Sequence, residues 1–142
     1  MEISQVRKRL KSAIDQSKER AQHRRQRNSD AEKAYALFLE TVATPLTRQL
    51  ANALKSEGYL FTVFTPGGGL RLALDRGRDD YVEFALDTAG DRPQVIARTS
   101  HTRGSRTFED ERPIKSNASP DAISEEEFLD VLIGAIEPWL ER

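Results

Sequence analysis

Cysteine is absent from this chain of 142 residues, and tryptophan and methionine each occur once. The absence of cysteine excludes disulfide bonds, thiolate nucleophiles and zinc sites built on sulfur. It is typical of a cytosolic protein, and we expect a cytoplasmic location. No apolar run approaches the roughly 18 residues that a membrane-spanning helix needs, so we expect no membrane partner. The first residues are basic but lack the apolar run of a secretory signal.

Charged residues are unusually frequent, at 32% of the chain, and their two signs are unevenly distributed. Residues 1–27 contain nine Lys and Arg against three acidic residues, a net charge of +6. Residues 28–142 contain thirteen Lys and Arg against twenty acidic residues, a net charge of −7. A basic segment attached to an acidic body is typical of an interaction arm. We therefore divide the chain into a basic, partly amphipathic N-terminal arm, residues 1–28, and a single α+β domain, residues 29–142.

The arm contains one short amphipathic segment, in which apolar residues recur at steps of three and four. These residues, which we call the apolar line, are Ile3, Val6, Leu10 and Ile14. Their spacing places them on one face of a helix. The line is too short for an independent coiled coil, but such a helix can dock into a groove on a partner. From residue 15 to residue 30 the only apolar residue is Ala21, which indicates either an exposed helical spacer or a disordered one.

A second helix is predicted over residues 30–57. Ser29 and Glu32 have the spacing of a capping box at its start, and Gly58 is a suitable stop signal. Apolar residues recur on one face throughout the segment, which predicts that this face packs on the body of the protein.

Pro45 lies inside this helical pattern. Its ring would clash with the carbonyl group of Thr41 in a regular α-helix. We therefore expect a kink or a break at this point, with both pieces packed on the same surface because the apolar pattern continues in phase.

Residues 59–65 are apolar at nearly every position, which predicts a strand covered on both sides or nearly so. From residue 70 the hydrophobic period is two residues, which predicts strands with one solvent-exposed face. Short links rich in Gly, Pro and Asp separate the strands, which indicates an antiparallel meander. Tyr81 and Ile96 fall on the face expected to be exposed, where two apolar residues are ordinary but would also suit the stacking of nucleic-acid bases. The predicted strands are 59–65, 70–76, 81–88, 94–102 and, at the edge of the sheet, 106–112.

Three consecutive glycines, Gly67 to Gly69, follow the first predicted strand. A phosphate-binding loop leads into a helix, because the helix N-terminus supplies the amides that hold the anion. A Walker loop also needs a lysine after its last glycine. Here the glycines lead into a strand and no lysine follows, so they predict a turn between two strands.

The last helix is predicted over residues 124–141, with Ser124 and Glu127 as its capping box. Trp139 falls on its apolar face, which favours packing in the core. The order of elements predicts an α+β fold: an antiparallel four- to five-stranded meander sheet with helices packed on one face and an extended N-terminal helical arm.

Nothing in the sequence indicates catalytic chemistry. His23 lies among arginines and His101 lies in a stretch of hydroxyl and arginine residues, and no nucleophile elbow is present. The acidic clusters lack the ligand spacing of a calcium loop. We therefore expect no catalytic residues, no metal ligands and no cofactor, and we do not expect an enzyme.

Basic residues suggest one further kind of site. The segment 98–106 combines three arginines with a histidine and four hydroxyl residues, a composition that suits phosphate. The simpler interpretation of this segment is a strand end and a solvated hairpin loop. The candidate phosphate or nucleic-acid contacts are Arg24, Arg25, Arg27, Arg98, His101, Arg103 and Arg106.

These patterns favour a non-enzymatic protein-interaction or adaptor module. Its arm would dock on a protein partner, or on a second copy of the chain, through the apolar line. The alternative is a nucleic-acid-binding domain, in which the arm and the segment 98–106 contact phosphates. A small-molecule enzyme or sensor with a pocket between sheet and helices is a third hypothesis, for which no residue in the sequence marks the chemistry.

Overall fold

A long N-terminal helix leads into a five-stranded antiparallel sheet, and a C-terminal helix packs back on that sheet. The computed structural model describes residues 1–77 and 79–141; Arg78, in the predicted turn before the third strand, and Arg142 lie outside them. The helices are α1, Ile3–Phe38; α2, Thr44–Ser56; and α3, Glu125–Leu140. The strands are β1, Phe61–Phe64; β2, Leu70–Leu74; β3, Tyr81–Asp87; β4, Gln94–Arg103; and β5, Arg106–Pro113. This architecture confirms the predicted α+β fold with its extended helical arm.

Helix α1 begins at Ile3, so the prediction of a separate helix beginning at residue 30 was wrong. Ser29 and Glu32 lie inside α1 and do not cap its start. The spacer of residues 15–30 is helical because it contains good helix formers such as Lys, Arg, Gln and Glu, and neither Gly nor Pro. A capping preference is worth only about 1 kcal/mol, which a helix continuing from both sides overrides.

The helix is distorted near Pro45, where a kink or a break was predicted, and it is not broken there. A π-helical turn, Leu39–Ala43, joins α1 to α2 immediately before Pro45. The backbone amide of Thr44 donates to the carbonyl oxygen of Leu39, five residues back. Such a turn inserts one extra residue into the helix, which accommodates a ring that has no N–H to donate.

The sheet has the strand order β1-β2-β3-β4-β5, with every neighbouring pair antiparallel. This is the predicted meander, and the fifth strand is present. The three glycines form the turn between β1 and β2: Gly68 has a φ of 71°, and the amide of Gly69 donates to the carbonyl of Pro66 over 2.6 Å. A strand follows them, as predicted for a turn and unlike a phosphate-binding loop.

Aromatic side chains join the helices to the middle of the sheet. The ring of Phe128 on α3 lies 4.9 Å from that of Phe84 on β3 and 5.6 Å from that of Phe38 at the end of α1. The hydroxyl of Tyr35 donates to the backbone carbonyl of Phe84 over 3.2 Å. These contacts fix the last turn of α1 and the first turns of α3 on the same strand.

The start of α3 has the capping box predicted from the sequence. The Ser124 hydroxyl accepts a hydrogen bond from the amide of Glu127, and the Glu127 carboxylate accepts one from the amide of Ser124. The hydrogen bond from the Ser124 backbone, together with the ammonium group of Lys115, holds the pKa of Glu127 below its ordinary value.

A buried carboxylate, Asp80, ties the far end of α3 to the sheet. One of its oxygens accepts hydrogen bonds from the indole N–H of Trp139 over 3.0 Å and from the amide of Thr102 over 2.8 Å. Asp80 is 5% exposed and lies directly before β3. A methyl group at Gly77 would overlap this carboxylate, so the turn before β3 requires a glycine there.

Ile96 was predicted to be exposed on the face of the sheet opposite the helices, but it is buried, at 3% exposure. Its cross-strand neighbours are Ala85 on β3 and Pro113 on β5. Alternation along a strand therefore gave the correct face but not the degree of burial, which depends on the cross-strand neighbours Ala85 and Pro113.

On the face of the sheet where the helices pack, they leave the edge formed by β5 uncovered. Helix α2 packs on β1 and β2, and α3 packs on β3. Residues 106–112 of β5 are exposed at every position, on both faces of the sheet. Phe108 on this strand is 43% exposed and stacks on His101.

Replacing Asp80 by Ala will lower the free energy of unfolding by about 2–5 kcal/mol, because the buried indole N–H of Trp139 and the partly buried amide of Thr102 lose their acceptor. Urea unfolding followed by tryptophan fluorescence measures this loss. Asp79→Ala is the matched control, since Asp79 is exposed, and it will change stability by less than about 0.5 kcal/mol. Equal effects of the two substitutions would contradict the structural role of Asp80.

Tyr35 gives the fold a measurable dependence on alkaline pH. Burial and, to a smaller extent, the charge of Glu83 raise the pKa of Tyr35 from 10.0 to about 12. The folded state therefore keeps the proton that the unfolded chain releases, so this contribution to stability is complete below pH 10 and is lost between pH 10 and 12. The loss amounts to about 2–3 kcal/mol.

Tyr35→Phe will remove this part of the pH dependence. At pH 7 the variant will be less stable by about 1 kcal/mol, since the hydrogen bond to Phe84 is lost. From pH 10 upward the difference between wild type and variant will shrink and then reverse. Denaturant unfolding at pH 7, 9, 10 and 11 measures it, and two curves that stay parallel would show that Tyr35 does not titrate as described.

Candidate functional site

The first twenty residues of the chain are exposed at every position, although residues 3–20 belong to one regular helix. At about 1.5 Å per residue, the 36 residues of α1 form a rod of about 54 Å, of which only the C-terminal part packs on the body. The residues of the apolar line keep their predicted positions on this rod. Their exposed fractions are 69% for Ile3, 47% for Val6, 58% for Leu10 and 43% for Ile14.

The apolar line and the buried part of α1 lie on the same side of one helix. At about 100° per residue, the line is within roughly 60° of the side that buries Ala31, Tyr35 and Phe38. Between them Ala21 is partly buried and the other positions are polar. The anchored end of α1 therefore determines the direction in which the apolar line faces.

Positive charge surrounds the apolar line. All nine Lys and Arg side chains of residues 1–27 belong to exposed residues. Within the part of the chain that the structure describes, none of them has an ion-pair partner, although Arg20 donates a hydrogen bond to the hydroxyl of Ser17 over 3.2 Å. Arg7 and Lys11 lie on one flank of the line and Arg9 on the other, by helical periodicity.

The candidate phosphate contacts in the sheet do not form one cluster. Arg98 lies on the face opposite the helices, where it pairs with Glu111 over 3.0 Å. His101 lies on the helix-bearing face and stacks on Phe108, with ring centroids 5.3 Å apart. Arg103 and Arg106 face each other at the hairpin between β4 and β5. The structure therefore divides the segment 98–106 between two faces and a loop, whereas Arg24, Arg25 and Arg27 lie together on the arm.

The face opposite the helices has a concavity of about 820 Å³ over β1, β2 and β3. The guanidinium of Arg71 lies there, 4.1 Å from the ring centre of Tyr81 and 3.3 Å from the carboxylate of Glu83. Phe64, across the ladder from Arg71, is 50% exposed. One face of Tyr81 is thus covered by Arg71, which leaves less of the ring for the base stacking considered from the sequence.

Two kinds of feature are not found among residues 1–77 and 79–141. No group of three or more His, Asp or Glu side chains is placed to hold a metal ion. None of the helices in this part of the chain combines the length and the apolar character needed to cross a membrane.

Comparisons of the chain with protein families, with curated proteins and with solved structures gave no match. The function is therefore inferred from the residues and geometry of this chain alone.

Two features of the structure were not identified from the sequence. The role of Asp80 depends on Trp139, 59 residues away, and no local pattern marks such a pair. The exposure of β5 beside α3 depends on how many helices pack on the sheet. Its signal in the sequence is weak: seven successive residues of β5 lack an aliphatic side chain.

Proposed function

We propose that this protein is a non-enzymatic interaction module that binds a protein surface, on a partner or on a second copy, through its N-terminal helix. The observation that carries the proposal is the apolar line: four large apolar side chains on one face of a helix, each exposed among the described residues. Scattered apolar residues are ordinary on a protein surface, but a continuous line on a projecting helix is typical of helix-in-groove recognition.

The arm is organised for binding before a partner arrives. An isolated helix of about 20 residues is marginal in water, but this one continues from a segment that is anchored by Tyr35 and Phe38. The anchored turns provide the helical nucleus, so the partner need not supply the whole cost of ordering the arm.

Apolar burial and charge both contribute to the proposed contact. Covering four side chains that are already partly shielded contributes about 1–2 kcal/mol each. Association itself costs several kcal/mol, so the apolar line alone gives weak binding. The flanking cations therefore favour an acidic partner surface, which increases the association rate and selects against basic partners.

Leu10→Asp will abolish the interaction without unfolding the protein, because Leu10 is exposed and lies in the middle of the line. Gln16→Asp is the matched control: it makes the same change in charge on the same helix, away from the line. We expect self-association or stoichiometric capture of a partner from nuclease-treated extract for the wild type and Gln16→Asp, and neither for Leu10→Asp. Equal binding by all three, with equal melting temperatures, would contradict the proposal.

Nucleic acid is the second candidate partner, and the exposed cations of the arm support it. Arg24, Arg25 and Arg27 extend from the helix without ion-pair partners among the described residues. A cationic helix of this kind binds phosphates by releasing counterions, without sequence preference.

This candidate predicts a steep dependence on salt. Binding of a labelled single-stranded oligonucleotide, measured by fluorescence anisotropy, will weaken strongly between 50 and 200 mM salt. Replacing Arg24, Arg25 and Arg27 together by Gln will reduce the slope of log K against log salt by about 2–3, whereas replacing Arg98, Arg103 and Arg106 will change it less. Absence of binding at 50 mM salt, or affinity that does not change with salt, excludes this candidate.

A further inference from the structure

A groove of about 510 Å³ lies between α3 and the half of the sheet formed by β4 and β5. Its floor includes Ala97 and Thr99 of β4, and its wall on α3 includes Val131, Gly134 and Ala135. The groove is on the helix-bearing side of the sheet, beside the strand that no helix covers.

The shape of the groove suits a helix. Layered α+β folds cover the apolar face of a sheet with helices, and here α2 and α3 pack mainly on β1 to β3, whereas residues 106–112 of β5 are exposed. Gly134 and Ala135 place no large side chain on this side of α3, so that another backbone can approach it closely. A methyl group at Gly134 would have no atom within 4 Å, which shows that the space beside it is open.

The charge of the groove wall is opposite to that of the arm. Helix α3 contains five acidic residues and no Lys or Arg. Asp130, one of the five, lines the groove, and it has no ion-pair partner among the described residues. On the β5 side the groove is lined by Arg112 and Asp110, which pair with each other over 2.7 Å, so that Asp130 is the unpaired charge among the described lining residues. The arm has a net charge of +6 and all its cations are exposed.

We propose that this groove receives the apolar line of a second copy of the chain, so that two copies exchange their arms. The inference rests on the proposed function of the arm and specifies its partner. The arm does not occupy the groove of its own chain, since residues 1–20 are exposed throughout. An exchange would bury both surfaces at once. The apolar line would be covered by the groove, and the part of the sheet formed by β4 and β5 would be covered by a helix. Two-fold symmetry makes this contact twice in each dimer.

Pairing between two arms is the less favourable arrangement. It would bring +6 against +6 along a line of fewer than two heptads. In the exchanged arrangement, the same cations lie beside the carboxylates of α3.

A complementation experiment tests the exchange with the full-length chain. Leu10→Asp damages the arm and leaves the groove intact, whereas Gly134→Leu fills the groove and leaves the arm intact. Asp130→Lys is a second groove variant, which cannot disturb the core because Asp130 is exposed. Ile133→Ala is the control: it removes an exposed apolar side chain from α3 outside the groove. Sedimentation velocity measures self-association, and circular dichroism confirms that each variant is folded.

We expect the wild type and Ile133→Ala to form dimers, and the dimers to weaken as salt increases. Leu10→Asp and Gly134→Leu will each weaken self-association by about tenfold or more, and Asp130→Lys will weaken it as well. A mixture of Leu10→Asp with Gly134→Leu will associate, because one intact arm meets one intact groove. Arm-to-arm pairing gives the opposite result, with Gly134→Leu still a dimer alone.

The failure of this inference is distinguishable from the failure of the proposed function. If the wild type remains a monomer up to about 100 µM, or if Gly134→Leu dimerises as well as the wild type, the groove is not the site and the exchange is overturned. The capture experiment with Leu10→Asp then decides separately whether the arm binds a partner. If Leu10→Asp dimerises like the wild type and also captures the same partners, both proposals are wrong.

Discussion

The anchoring of α1 by its last turns is the constraint on which the rest of this architecture depends. Phe38 lies against Phe128, and the Tyr35 hydroxyl bonds to the backbone of β3. Because α1 is one uninterrupted helix, these contacts determine the direction of everything N-terminal to them. A flexible tail with the same residues would present its apolar side chains in every direction; here they lie in one line, on a known side of a rod. The core thus controls the geometry of a surface far from it.

A polar contact holds the C-terminal end of α3 on the sheet. Asp80 connects Trp139 at the end of α3 to the backbone at the end of β4. With Phe128 near its start and Trp139 near its end, α3 is held on the sheet at both ends. A helix fixed in this way forms a rigid wall for the groove beside it. The same buried carboxylate excludes a side chain at Gly77, so one contact sets both the turn before β3 and the position of α3.

The sequence predicted those features that depend on near neighbours along the chain. Hydrophobic period two gave the strands, the spacing of Ser124 and Glu127 gave the start of α3, and the absence of a helix after Gly69 identified a turn. Features that depend on distant residues were not predicted. Ser29 had the pattern of a helix start but lies in mid-helix, because helix propagation overrides a local cap. The burial of Ile96 depends on its cross-strand neighbours Ala85 and Pro113, which lie 11 and 17 residues away along the chain. For the candidate site, the residues of the apolar line were predictable, whereas the groove exists only where the helices stop covering the sheet.

The opposite charges of the arm and of α3 favour a contact between the apolar line and the groove. The whole chain has a net charge of −1, but this near-neutrality is the sum of a strongly basic arm and an acidic body. Nine cations along one helix repel one another, and α3 carries five carboxylates of which only Glu127 has a cation partner, Lys115, among the described residues. The cations of the arm do not reach the carboxylates of α3 within one copy, since residues 1–20 are exposed throughout. Contact with a surface of opposite charge reduces the repulsion among the cations and covers the apolar line in the same step. A groove with more carboxylates than cations therefore fits the arm better than a neutral one, and the groove beside α3 is lined by Asp110 and Asp130 against Arg112.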